Sequence, residues 1–77
     1  MDVSSLTLTQ LRYIVALDNT RSFRAAAELS RVSQPALSAQ VQKLETLLGV
    51  VLFDRSRQPI VPTAEALRVL EQARVAI

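Results

Sequence analysis

Apolar positions recur at helical spacing in four stretches of this 77-residue chain, and a short β-prone stretch separates the third from the fourth. In the first, Leu8, Leu11, Ile14 and Val15 form the i, i+3, i+7 stripe of a core-facing helix. Thr7 and Gln10 have the reciprocal spacing of a capping box, so this helix is predicted to start at Thr7. Leu6, Tyr13 and Leu17 fall on its other side, which predicts a second contact surface, available to another chain. Asp18-Asn19-Thr20 breaks the pattern, and Ser22 is placed to cap a short helix from Phe23 to Ser30, with Phe23, Ala26, Ala27 and Leu29 as its apolar residues. The alanine pair would let another helix approach closely.

Ser30-Arg31-Val32 is long enough only for a tight turn between helices. Ser33 caps the next helix, and Pro35 sits in its first turn, where a missing N–H costs nothing. Leu37, Val41, Leu44 and Leu48 follow at i, i+4, i+7 and i+11, within one narrow arc at roughly 100° per residue. Gly49 falls where a left-handed cap would stop the helix. Val50 to Phe53 and Ile60-Val61 are apolar and β-prone around the polar tip Asp54-Arg55-Ser56-Arg57-Gln58, which predicts a small hairpin that must pack on the helices to be stable. Thr63 caps a last helix with Glu65 near its positive end, and Ala66, Leu70, Ala73 and Ile77, widened by Val69 and Ala76, form its stripe. The sequence stops on Val75-Ala76-Ile77 without a capping signal, so this helix is expected to be cut short and to continue in a longer protein.

Helix, three-residue turn, helix and basic hairpin are the layout of a winged helix-turn-helix. The expected fold is therefore mainly α: a three-helix core with a short two-stranded wing, followed by a linker helix. Residues 1–5 would be a tail and 6–63 the domain, with the helix-turn-helix at about 22–48 and the wing at about 50–62. Residues 64–77 would begin the linker helix.

Composition narrows the chemistry. Cysteine and histidine are both absent, which removes disulfides, thiolate or imidazole metal sites and the commonest nucleophile–base pairs within these residues. An enzyme would need a carboxylate pair or an activated Ser or Lys. The seven acids are scattered, and the sole lysine, Lys43, has Glu45 two residues away, off its helical face. No apolar run approaches the roughly 18 residues of a membrane span, and Met1-Asp2-Val3 lacks a signal-peptide pattern, so a cytoplasmic protein without membrane association is expected.

Net charge is only +2, but its distribution is uneven. Residues 1–20 are one charge negative and residues 64–77 neutral. Residues 21–63 set Arg21, Arg24, Arg31, Lys43, Arg55 and Arg57 against Glu28, Glu45 and Asp54, leaving three positive charges.

The third helix brings charge and pattern together. Opposite its apolar stripe lie Pro35, Ala39, Gln42 and Thr46, flanked by Ala36, Ser38 and Lys43, a small or polar face without an acid. A helix entering the major groove of DNA needs such a face: small residues allow close approach, amides and hydroxyls bond base edges, and a carboxylate would be repelled by phosphates. An ordinary solvated helix could hold similar residues. Arg55 and Arg57 could reach phosphates or a narrow minor groove, although loop tips are also charged for solubility alone. Arg21, Arg24 and Arg31 would extend these groups into a basic stripe. The competing reading is a helical dimerisation or protein-interaction module that does not bind DNA.

Leu11-Arg12-Tyr13, Ser22-Phe23 with Ala26-Ala27, Val32-Ser33-Gln34-Pro35-Ala36-Leu37-Ser38, Gln40, Leu44-Glu45, Leu48-Gly49, Leu52-Phe53-Asp54-Arg55 and Pro62-Thr63 together resemble the N-terminal domain of LysR-type transcriptional regulators, over residues 6–77. Within that family, Asp54 to Pro59 with Pro62-Thr63 is most similar to the peroxide-sensing branch. The resemblance implies a winged helix-turn-helix that binds double-stranded promoter DNA as a homodimer paired through the linker helix. A small-molecule or redox effector would act on a separate C-terminal domain, and no cofactor is expected in these residues. Ser33, Gln34, Pro35 and Ser38 match family positions that touch DNA, and Arg55 matches the wing arginine. The full expected contact set is Ser33, Gln34, Pro35, Ala36, Ser38, Ala39, Gln42, Arg55 and Arg57. Two positions depart from the pattern: Ala39 stands where many members have arginine, and Ala66 where members usually have glycine.

Overall fold

Every helix begins at a hydroxyl. In the computed structural model, which describes residues 7–77, α1 (Leu8–Thr20), α2 (Phe23–Ser30), α3 (Gln34–Leu48) and α4 (Ala64–Ala76) are preceded by Thr7, Ser22, Ser33 and Thr63. Each of these side chains accepts the backbone N–H three residues on, satisfying one of the amides that a helix start leaves unpaired. At Thr7 the Gln10 side chain bonds back to the Thr7 amide, completing the capping box. The expected tail and Leu6 lie outside the described residues.

Left-handed residues stop three of these helices. Gly49 takes φ 72° after α3, as its lack of a Cβ allows. The other two stops are arginines, Arg21 at φ 56° and Arg31 at φ 59°, a conformation costing an L residue about 1–2 kcal/mol. Backbone bonds hold both in place: Arg21 N–H donates to the Leu17 carbonyl at 2.7 Å, and Val32 N–H reaches the Ala27 carbonyl at 3.0 Å across the turn between α2 and α3.

The core joins Leu11, Ile14 and Leu17 of α1, Ala26 and Ala27 of α2, Leu37, Val41 and Leu44 of α3, Leu52, Phe53 and Ile60 of the wing, and Val69, Leu70 and Ala73 of α4. Leu17 was expected on a separate face of α1, yet it is fully buried in this core. The physical reason is that α1 packs against α2, α3 and α4 at once, so its buried arc widens to take in Ala16 and Leu17. Tyr13, from the same expected surface, is half-buried against the core. Conversely Leu8 and Ile77, each assigned to a helix stripe, and Leu29, named among the apolar residues of α2, are exposed. They lie toward helix ends, where no neighbouring element covers them.

The wing is smaller than its β-prone residues suggest. Its strands, β1 (Phe53–Asp54) and β2 (Val61–Pro62), are two residues each and pair antiparallel, with Phe53 opposite Pro62 and Asp54 opposite Val61. Val50, Val51 and Ile60 stay outside because their backbone groups, and the Leu52 amide, bond elsewhere. Val50 N–H donates to the Glu45 carbonyl, Ile60 N–H to the Arg21 carbonyl at 3.2 Å and Leu52 N–H to the Glu45 carboxylate at 2.8 Å, while the bond from Thr63 N–H to the Leu52 carbonyl at 2.8 Å belongs to the strand pairing itself. The Thr63 hydroxyl donates to the Val51 carbonyl at 2.6 Å while also accepting the Ala66 amide, so one residue fastens the wing to the start of α4. At the other end of α4, Arg74 bonds the Asp18 carboxylate at 2.7 Å and the Asn19 side chain at 2.9 Å, tying it to the end of α1.

Candidate nucleic-acid interface

The tight turn after α2 and the Ser33 cap aim the start of α3 outward, with Leu37, Val41 and Leu44 anchored beneath it. Pro35, Ala36, Ala39 and Gln42 are exposed on the opposite side, continued by Lys43 and Thr46, while Ser33 and Gln34 are exposed at the helix start and Ser38 is half-buried toward the wing. None of these is acidic. The positive end of the helix dipole adds to this field at the same end of α3.

Glu45, the one carboxylate on α3, is turned away from that face. Only 14% of its side chain is exposed. One oxygen accepts the Leu52 N–H at 2.8 Å, and the other lies 3.4 Å from an Arg55 Nη. The second Nη of Arg55 is 3.4 Å from the Ser38 Oγ, and the guanidinium carbon sits 4.5 Å from the centre of the Phe23 ring. Arg55 is therefore held by α2, α3 and the wing root together, and 40% of its side chain stays open to solvent. Arg57 is 70% exposed, with only a 3.6 Å contact to Asp54. Asp54 accepts both the amide and the hydroxyl of Ser56, and these bonds, with nearby Arg57, hold its carboxyl below the usual carboxylate value.

Ser38 and Arg55 thus come together at the junction of α3 and wing, while Arg57 stands apart at the tip. The expected arginine stripe is divided. Arg24 shares a shallow hollow with Gln34 and Gln58, beside the start of α3. Arg21 instead pairs with Asp18 at 3.1 Å, on the side of α1 that receives Arg74. Two residues named in the sequence without a site role take one here: Glu45 as the anchor of the wing and Phe23 as the platform under Arg55. Their partners are far along the chain, so no local pattern marks them. Among the described residues, no cluster of acids could hold a metal ion, and no helix is long and apolar enough to cross a membrane.

An outward helix with an acid-free face, backed by a second helix and flanked by an arginine-bearing hairpin, defines the winged helix-turn-helix class. Residues 8–67 match the model of the bacterial regulatory helix-turn-helix proteins of the lysR family, and the chain belongs to that family. It is 43% identical over 72 residues to a hydrogen peroxide-inducible genes activator of Pectobacterium carotovorum subsp. carotovorum, covering 94% of this chain and 24% of that protein. It is also 44% identical over 70 residues to the transcriptional regulator CbbR of Sinorhizobium medicae (strain WSM419), covering 91% of this chain and 22% of that protein. The chain thus spans about a quarter of the length of these relatives. Among solved structures, Vibrio fischeri DarR in complex with DNA superposes with a TM-score of 0.90 at 32% identity, covering 94% of this chain and 25% of that one. The BenM DNA-binding domain bound to catB site 1 DNA gives 0.88 at 37%, covering 92% of this chain and 76% of that one.

Proposed function

We propose that this chain binds double-stranded promoter DNA sequence-specifically, as the DNA-reading part of a LysR-type regulator, with a regulatory and not a catalytic role. The observation that carries this reading is the exposed half of α3: it is free of acids because the helix's only carboxylate is turned into the wing. In this reading α3 enters the major groove. Gln34 and Ser38 hydrogen-bond base edges, Gln42 extends the contact, and Pro35 and Ala36 meet thymine methyl groups. Ser33 lies at the helix start beside a phosphate, and Ala39 allows close approach where a longer side chain would stand off. Arg55 and Arg57 hold the wing on the backbone or in the minor groove.

The chain acts as a homodimer through α4, on which Leu67 and Val75 are exposed, with exposed Ile77 just past its end, placing two half-sites one or more helical turns apart. A small-molecule or redox effector binds in the part of the regulator that this chain does not span. DNA binding itself needs no cofactor, and the protein works in the cytoplasm.

Titration with mixed-sequence duplex DNA at two ionic strengths tests the reading. Binding that weakens steeply with salt is expected, because each neutralised phosphate releases counterions. Self-association with no salt-dependent DNA affinity would instead make this an interaction module.

A further inference from the structure

We propose that Glu45 is a positioning residue of the DNA-reading surface, setting where the wing and Ser38 stand relative to each other without touching DNA itself. The inference rests on the DNA-binding reading above and adds a residue to it. Three observations meet at this side chain. Its Oε2 fixes the root of the wing through the Leu52 amide at 2.8 Å, immediately before β1 begins. Its Oε1 faces Arg55 at 3.4 Å, the arginine that also reaches Ser38 at 3.4 Å and covers the Phe23 ring. Ser38 and Glu45 lie seven residues apart on α3, two turns along one edge of the helix, so Arg55 bridges that edge like a strut.

The chemistry suits a locating function. A guanidinium has five N–H donors. Directing one to Glu45 and one to Ser38 leaves others for a phosphate, and the direction they face is set by the two bonds already made. Glu45 is largely buried and paired with Arg55, whose positive charge offsets the repulsion its carboxylate would exert on phosphates. A wing anchored at the Leu52 amide and at Arg55 keeps one distance from α3, and that distance decides whether groove and backbone contacts are made together.

The test compares Glu45→Ala and Glu45→Gln with the parent chain. Affinity is measured for a duplex selected by the parent from a random-sequence pool and for mixed-sequence duplex, with the folded fraction of each variant taken from its thermal melt. Glu45→Ala removes both bonds. It is expected to lower the ratio of selected-site to mixed-DNA affinity by about tenfold, the worth of one hydrogen bond to a charged group, while mixed-DNA affinity holds or rises because an acid has gone. Glu45→Gln keeps an acceptor for the Leu52 amide and loses the ion pair, so a smaller drop in the same ratio is expected. If the alanine variant is unfolded, the glutamine variant carries the test alone. An unchanged ratio in the folded variants, or equal losses on both DNAs, would overturn the positioning role. A parent chain without salt-dependent DNA binding would refute the DNA-binding reading itself.

Discussion

Replacing each wing arginine by alanine separates packing from DNA contact, because the two side chains differ in what holds them. Arg55→Ala removes a partly exposed ion pair to Glu45, a long contact to Ser38 and the stacking over Phe23. Exposed pairs are worth up to about 1 kcal/mol and a cation over an aromatic face about 0.5–1 kcal/mol at such sites, and with 40% of the side chain in solvent we take about 1 kcal/mol for the set. In a domain of this size that lowers Tm by roughly 4–8 °C. Arg57 has only its 3.6 Å contact to Asp54, and its removal should cost no more than about 0.5 kcal/mol. On DNA the two should behave alike. For each phosphate that is no longer neutralised, the slope of log affinity against log salt becomes shallower by about 0.9. Thermal melts by circular dichroism and anisotropy titrations of a labelled duplex at several salt concentrations give both quantities. An unchanged salt slope in Arg55→Ala would refute the wing's place on the DNA backbone. An unchanged Tm would refute the energetic value assigned to its seat between Glu45 and Phe23.

Other consequences are independent of that pair. Gln34→Ala should reduce affinity for a selected duplex by about 1–3 kcal/mol while leaving mixed-DNA affinity nearly constant, as competition titrations can measure. Asp18→Ala cuts both the 2.7 Å bond to Arg74 and the 3.1 Å pair with Arg21 on a side chain only 17% exposed, so a destabilisation of about 1–2 kcal/mol is expected, with faster amide exchange in the last turn of α4. Asp54, whose pKa is lowered by Ser56 and Arg57, contributes to wing order above its unfolded value of about 3.8 and loses that contribution as pH falls through the lower folded value. A pH titration followed at the Ser56 amide should therefore show the wing tip unchanged at about pH 5 and loosening only below about pH 3.8.

What could be read from the sequence was whatever depends on near neighbours. A cap needs only a hydroxyl and the amide three residues on, so Thr7, Ser22, Ser33 and Thr63 marked every helix start in advance. The outward face of α3 was legible because the Leu37, Val41 and Leu44 arc fixes its opposite. Features that depend on which elements meet were not legible. Leu17 became core because three helices converge on α1, and the wing strands shrank because Thr63, Glu45 and Arg21 took the backbone groups that a ladder would have used. Arg21 and Arg31 gave no sign of ending helices, since that conformation favours glycine and is imposed here by the tight corners around α2. The Glu45–Arg55–Phe23 cluster joins residues on three elements, and nothing in their spacing announces it.

The central claim is that the outer face of α3 and the arginine-bearing tip of the wing together form the surface that meets DNA. Amide chemical shifts of the 8.5 kDa chain, followed while duplex DNA is added, test it most directly. The largest changes should fall on residues 33–42 and 54–58, with α1 and the far end of α4 little affected. Changes confined to α1 or α4, with the start of α3 silent, would contradict it.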